Sequence, residues 1–135
     1  MKASELIARL SKHITYFGDF EVRSATSDGK LVDIRYISTH KEDGENYIVI
    51  ADIESGLELN SIQWPLRMEK PCVGSLIKKL LSYDFRSPLV FGVSLEGERD
   101  LDVCGFEDIF NVKHNDDYDS VIVFLGSDYE IKKQL

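Results

Sequence analysis

The sequence predicts an α+β domain made of two tandem αβββ units with pseudo-twofold symmetry, and three observations carry that reading. Two short amphipathic stripes stand seventy residues apart, Leu6, Ile7 and Leu10 against Leu76, Ile77 and Leu80. Each is followed by an alternating apolar run and a turn that contains glycine. A histidine, an acidic cluster and a β-branched run then occur twice. The copies are His40-Lys41-Glu42-Asp43-Gly44-Glu45-Asn46-Tyr47-Ile48-Val49 and His114-Asn115-Asp116-Asp117-Tyr118-Asp119-Ser120-Val121-Ile122-Val123. Self-similarity at a long period marks one supersecondary unit laid down twice. The units cover approximately 3–54 and 73–126, with a connector over 55–72, in a single domain of 135 residues.

The first unit opens with a helix, because Leu6, Ile7, Leu10, Ile14 and Phe17 recur at steps of three and four while Arg9 and Lys12 fall on the other side. Ser4 is its expected N-cap. Gly18-Asp19 ends the pattern, and Phe20 and Val22 alternate with Glu21 and Arg23 in a strand over 19–25. Ser27-Asp28-Gly29-Lys30 supplies a hairpin turn, and Leu31 to Ile37 reads as the second strand. The first histidine-acid segment turns the chain into Tyr47 to Ile53, a run that suits a central strand buried on both faces.

In the connector, Ser55-Gly56 permits a turn and Leu57 and Leu59 suit a short added strand. Pro65 and Pro71 discourage helix through Gln63 to Lys70. Gly74-Ser75 provides the entry to the second helix, whose polar face carries Lys78 and Lys79. After Ser87-Pro88, the alternation of Leu89, Phe91, Val93 and Leu95 marks a strand, and Glu96-Gly97-Glu98-Arg99 marks its turn. Leu101-Asp102-Val103 answers Val32-Asp33-Ile34, and Val121 to Leu125 forms the last strand. The spacing between copies widens to seventy-four at the histidines, which places an insertion or bulge near Cys104 to Asp108. Antiparallel hairpins with both helices on one face satisfy these elements. The hairpins either join edge to edge in one six-stranded sheet or stack as two layers; the joined sheet protects an edge strand in each unit and is the preferred arrangement.

Composition narrows the function. With 24 acidic and 16 basic side chains, the net charge of -8 opposes direct binding to nucleic acid or anionic membrane and favours a protein partner with a basic surface. No run approaches the roughly 20 apolar residues of a spanning helix, and Met1-Lys2-Ala3-Ser4-Glu5 does not open a leader, so a cytoplasmic location is expected. Cys72 and Cys104 lack metal-ligand spacing and are expected as reduced, buried thiols. No phosphate loop, serine-nucleophile signature or calcium loop occurs, and no cofactor or enzymatic activity is expected.

Two constellations remain. His40, Glu42 and Asp43 with His114, Asp116 and Asp117 have metal-ligand character of the kind that suits Mn, Fe or Zn across a pseudo-twofold axis. Ordinary turn chemistry explains the same residues with fewer assumptions. For a protein partner, the candidates are Trp64 in the connector and the acidic set Glu96, Glu98, Asp100, Asp102, Asp116, Asp117 and Asp119. A packing role for Trp64 and a solvated acidic face are the plainer explanations, and Lys78-Lys79 reads as a solvated helix face.

The stretch Ser4-Glu5-Leu6-Ile7-Ala8-Arg9-Leu10, followed by Gly18-Asp19-Phe20-Glu21-Val22, resembles the start of small phage and prophage accessory proteins. The resemblance spans the first 25 residues and implies a mobile-element origin, with no catalytic residue to carry over. The expectation is a non-enzymatic protein-binding module that modulates a host protein, as a defence inhibitor or duplex mimic does. The alternatives are a metal- or small-ligand-binding protein and a toxin-neutralising immunity protein, acting as a monomer or homodimer.

Overall fold

A computed structural model describes residues 1–25, 31–42, 44–51, 61–93, 105–115 and 120–125. Among the described residues there are two helices and eight strands. They follow the order α1 (Ala3–Phe17), β1 (Glu21–Ala25), β2 (Leu31–Asp33), β3 (Tyr36–Glu42), β4 (Glu45–Ala51), β5 (Ser61–Arg67), α2 (Val73–Leu80), β6 (Leu89–Val93), β7 (Gly105–Asn115) and β8 (Ser120–Leu125). The fold is α+β.

The two stripes read from the sequence form the helix–helix contact. Ala3, Leu6 and Leu10 of α1 and Val73, Leu76 and Leu80 of α2 are fully buried in one cluster. Each helix starts where the other ends, so the pair is antiparallel. Ala3 N and Ser4 N donate to the carbonyls of Ser87 and Phe85 at 3.0 and 2.8 Å, while Val73 N donates to Phe20 O at 2.9 Å. These bonds replace the expected cap: Lys2, not Ser4, is the N-cap of α1 and makes no side-chain cap bond. At α2 the expected Gly74-Ser75 entry holds, with Cys72 N donating to Ser75 Oγ at 2.9 Å. The Asp19 carboxylate also accepts from Gly74 N at 2.8 Å.

All eight strands belong to one sheet, ordered β2-β1-β8-β7-β6-β4-β3-β5. It is mixed, which corrects the expected antiparallel sheet of six strands: β1 runs parallel to β8 and β4 parallel to β6. A parallel pair needs a long crossover, and β5 with α2 supplies it between β4 and β6. Alternation along a strand records its faces but not the direction of its neighbour.

The sheet is curled. In the strand order β2 and β3 stand six steps apart, roughly 29 Å in a flat sheet. Only Ile34 and Arg35 separate them along the chain, a reach of about 11 Å from Asp33 to Tyr36. The run 31–37, expected as one strand, is therefore a corner between two. Arg35 N donates to Ala51 O at 2.9 Å, which joins the corner to the β4 side, while Arg23↔Asp33 ties β2 to β1. A second bend lies in β7, whose Gly105–Asp108 segment pairs with β6 and whose Ile109–Asn115 segment pairs with β8 across a bulge between Ile109 and Asn111. The insertion expected at Cys104 to Asp108 is thus largely strand. Both bends let strands pass from one part of the sheet to the other.

The main core joins the helices to Val22, Ile34, Ile37, Ile48, Ile50, Leu89, Phe91 and Val112. On the other face of β4, Val49 and Ala51 pack with Val90, Tyr36 and Tyr47. Tyr47 to Ala51 is therefore apolar at every position because both faces are covered, as its sequence predicts.

Other expectations change. The 61–67 part of the connector is β5, paired with β3, and Thr39↔Gln63 beside Ile37↔Leu66 places Trp64 and Pro65 opposite Ser38 in a bulge. An edge strand with a bulge is where a sheet tolerates proline. The histidine segment contains the turn but begins in strand: His40 and Lys41 are in β3, and the chain reverses between Glu42 and Glu45, where Gly44 has φ 79°. Cys72 is a free, half-buried thiol. The expected elements at 26–30, 52–60, 94–104 and 116–119 lie outside the described residues. No helix among the described residues is long and apolar enough to cross a membrane.

Candidate functional site

Of the predicted metal set, the described side chain is His40, which is 5% exposed on β3 opposite Tyr47. The Tyr47 hydroxyl donates to Glu45 Oε2 at 3.1 Å. His114 holds the matching register position on β7, opposite Val121. The two hairpins do not present the same faces, however. Ser38 and Val112 are equivalent in register, opposite Val49 and Val123. Val112 joins the helix-side core, whereas Ser38 adjoins the core residue Ile37 and so lies on the opposite face. A one-residue difference in phase exchanges the faces of a strand. Glu42, Asp43, Asp116 and Asp117 lie outside the described side chains, and among the described residues no group of three His, Cys, Asp or Glu could hold a metal ion.

Of the predicted partner-binding set, Trp64 has its backbone in the β5 bulge. Glu96, Glu98, Asp100, Asp102, Asp116, Asp117 and Asp119 lie outside the described residues.

The described structure forms a different site, an open cleft of about 380 Å³ between α1 and β7. Its lining is Arg9, Lys12, His13, Tyr16, Phe17 and Val112. The five helix positions follow steps of three and four, so they make a second stripe along α1, turned away from the stripe that meets α2. His13 anchors this face. Its Nε2 lies 3.4 Å from the Val112 carbonyl oxygen and donates to it in the Nε2–H tautomer, while its ring stacks on Phe17 at 5.6 Å between centroids. Tyr16 is 72% and Phe17 48% exposed.

Phe17 was expected in the core. It stands at the last helical position before Gly18, past the final buried contact of the α1–α2 stripe at Leu10 and the partly buried Ile14. The available signal was the coincidence of Arg9, Lys12, His13 and Tyr16 at helical spacing, obscured because Phe17 fits both stripes.

Electrostatic ties elsewhere hold the frame. Asp33 bridges two guanidinium groups at the β2–β3 corner, with Arg23 Nε at 3.2 Å and Arg35 Nη2 at 3.1 Å. The hydrogen bond from Arg35 and then the charge of Arg23 hold its carboxyl below the ordinary range, against partial desolvation. Burial pushes the Tyr83 phenol up. Chemically, the cleft offers an apolar floor with cations at its rim, an arrangement suited to recognising a ligand. Comparison of the chain with protein-family models, curated proteins and solved structures gives no match.

Proposed function

We propose that this chain is a small non-enzymatic protein-binding module, an accessory factor of phage or mobile-element type that modulates a host protein. The observation that carries the reading is the pair of large rings left in water at the end of α1, Tyr16 and Phe17, beside a formed cleft. Aromatic side chains are the commonest anchors of protein interfaces, because they bury much area while losing little conformational freedom. The acidic segments Glu96 to Asp102 and Asp116 to Asp119 form the second part of the proposal, as a face toward a basic surface of the same host protein.

The proposal extends to the architecture, as two αβββ units related by a pseudo-twofold axis between the helices. Paired backbone bonds support it: Leu89 N to Met1 O at 2.8 Å matches Val22 N to Pro71 O at 2.9 Å. The isolated bridges Lys2↔Pro88 and Glu21↔Cys72 match in the same way. Each unit then lends its first strand to the other's hairpin.

Affinity capture from host lysate tests the function. Wild-type protein is expected to retain a discrete host protein, and Tyr16→Ser with Phe17→Ser to lose it while unfolding at the same temperature. Retention by the double variant would overturn the reading. Charge reversal across the acidic segments is expected to weaken capture of the same protein; no effect would remove the acidic face from the proposal.

A further inference from the structure

We propose that the α1–β7 cleft receives an acidic peptide segment carrying a large apolar side chain. The inference rests on the reading of the chain as a protein-binding module and names the chemistry of the segment that enters this cleft.

Three observations select that occupant. Tyr16, Phe17 and Val112 provide apolar surface, and a cleft of about 380 Å³ falls in the range of sites that hold small ligands or single side chains. Arg9 and Lys12 stand one turn apart on its rim, both exposed. Residues three apart on a helix place their Cβ atoms about 5–6 Å from each other, and the long Arg and Lys side chains splay further apart. Carboxylates on either side of a segment's apolar residues can therefore each meet one cation while an apolar side chain enters the cleft.

Charge distribution strengthens the selection. The whole chain carries -8, so a generally acidic partner is repelled from most of the molecule. On α1, by contrast, Arg9 and Lys12 are accompanied by one carboxylate, Glu5, in the first turn. Arg9 and Lys12 thus offer an acidic segment charge-assisted contacts at this face, within a chain whose net charge disfavours it elsewhere. His13 contributes position: its contacts to Val112 and Phe17 fix the cleft's floor against β7.

The test uses the full-length protein and fluorescein-labelled peptides followed by fluorescence anisotropy. The probe is Asp-Glu-Trp-Leu-Asp-Glu; one control replaces Trp-Leu with Ser-Gly, and the other replaces every acidic residue with Lys or Arg. The probe is expected to bind, with at least tenfold weakening in each control. Arg9→Glu combined with Lys12→Glu, and Phe17→Ala separately, are each expected to weaken the probe tenfold or more. Unchanged thermal unfolding establishes that these surface variants fold. Raised salt is expected to weaken the probe further. Equal binding of the basic control, equal binding of the Ser-Gly control, or no effect of the double charge reversal would overturn the proposal. Stronger binding to vesicles of anionic lipid than to the probe would overturn it in favour of a membrane occupant. Failure of the probe while lysate capture still depends on Tyr16 and Phe17 would refute the acidic segment and leave the binding module standing; failure of both would refute both.

Discussion

Replacing Asp33 with asparagine tests how the curled sheet is held. The side chain is a quarter exposed and bridges Arg23, 30% exposed, and Arg35, 56% exposed. Its bond to Arg23 is a cross-strand pair that secures a three-residue strand, and such a partly buried charged pair contributes about 1 kcal/mol. Arg35 lies largely in solvent, so screening reduces its share to about 0.3 kcal/mol. Asp33→Asn is therefore expected to lower stability by about 1–1.5 kcal/mol at neutral pH, or about 4–5 °C in Tm for a chain of this length.

The pH dependence follows from the lowered carboxyl pKa. Because the folded value lies below the unfolded one, near 3.9, the stabilisation is complete above about pH 4 and disappears as pH falls through the folded value. Urea unfolding of both proteins at neutral and strongly acidic pH measures the gap. It is expected to close in acid, where the wild-type carboxyl is protonated. A gap under about 0.3 kcal/mol at neutral pH, the level of an inert surface pair, would refute the reasoning. A full gap persisting in strong acid would do the same.

Other expectations follow from the same frame. Asp19→Ala removes the carboxylate that caps α2 through Gly74 N and is expected to cost about 1 kcal/mol by urea unfolding; an unchanged midpoint would mean that Ser75 alone suffices. Val49→Ala and Ile50→Ala empty opposite faces of β4, and each is expected to cost about 2 kcal/mol or more, because both residues are fully buried. A near-neutral Val49→Ala would mean that its face is open to water. With its pKa raised by burial, Tyr83 favours the fold below the ordinary tyrosine value of about 10, and that contribution is lost as pH rises toward the folded value. Phenolate absorbance is expected to show a late-titrating component that Tyr83→Phe removes; an unchanged titration curve in that variant's late range would contradict the burial.

The legible parts of the fold were those where one face alone decides the pattern. Leu6 and Leu10, with Leu76 and Leu80, announced the helix pair, and Tyr47 to Ala51 announced a strand covered on both sides. Partner direction was illegible because β1 and β8 read the same whether they run parallel or antiparallel. β5 was missed because Pro65 argues against a strand, and its tolerance there depends on an edge position and a bulge set by β3. The doubled histidine drew attention to a shared sequence phase, whereas the structure puts Ser38 and Val112 on different faces. For the cleft, helical spacing alone sets Arg9 and Lys12 opposite the core stripe, but only the placement of Val112 beside His13 makes that face concave.

The central claim is that partners enter between α1 and β7. Titration of ¹⁵N-labelled protein with the Asp-Glu-Trp-Leu-Asp-Glu peptide, followed by amide chemical shifts, tests it most directly. The account predicts that the largest changes run from Arg9 to Phe17 and include Val112, with β5 unmoved. Changes centred on Ser61–Arg67, with α1 silent, would contradict it.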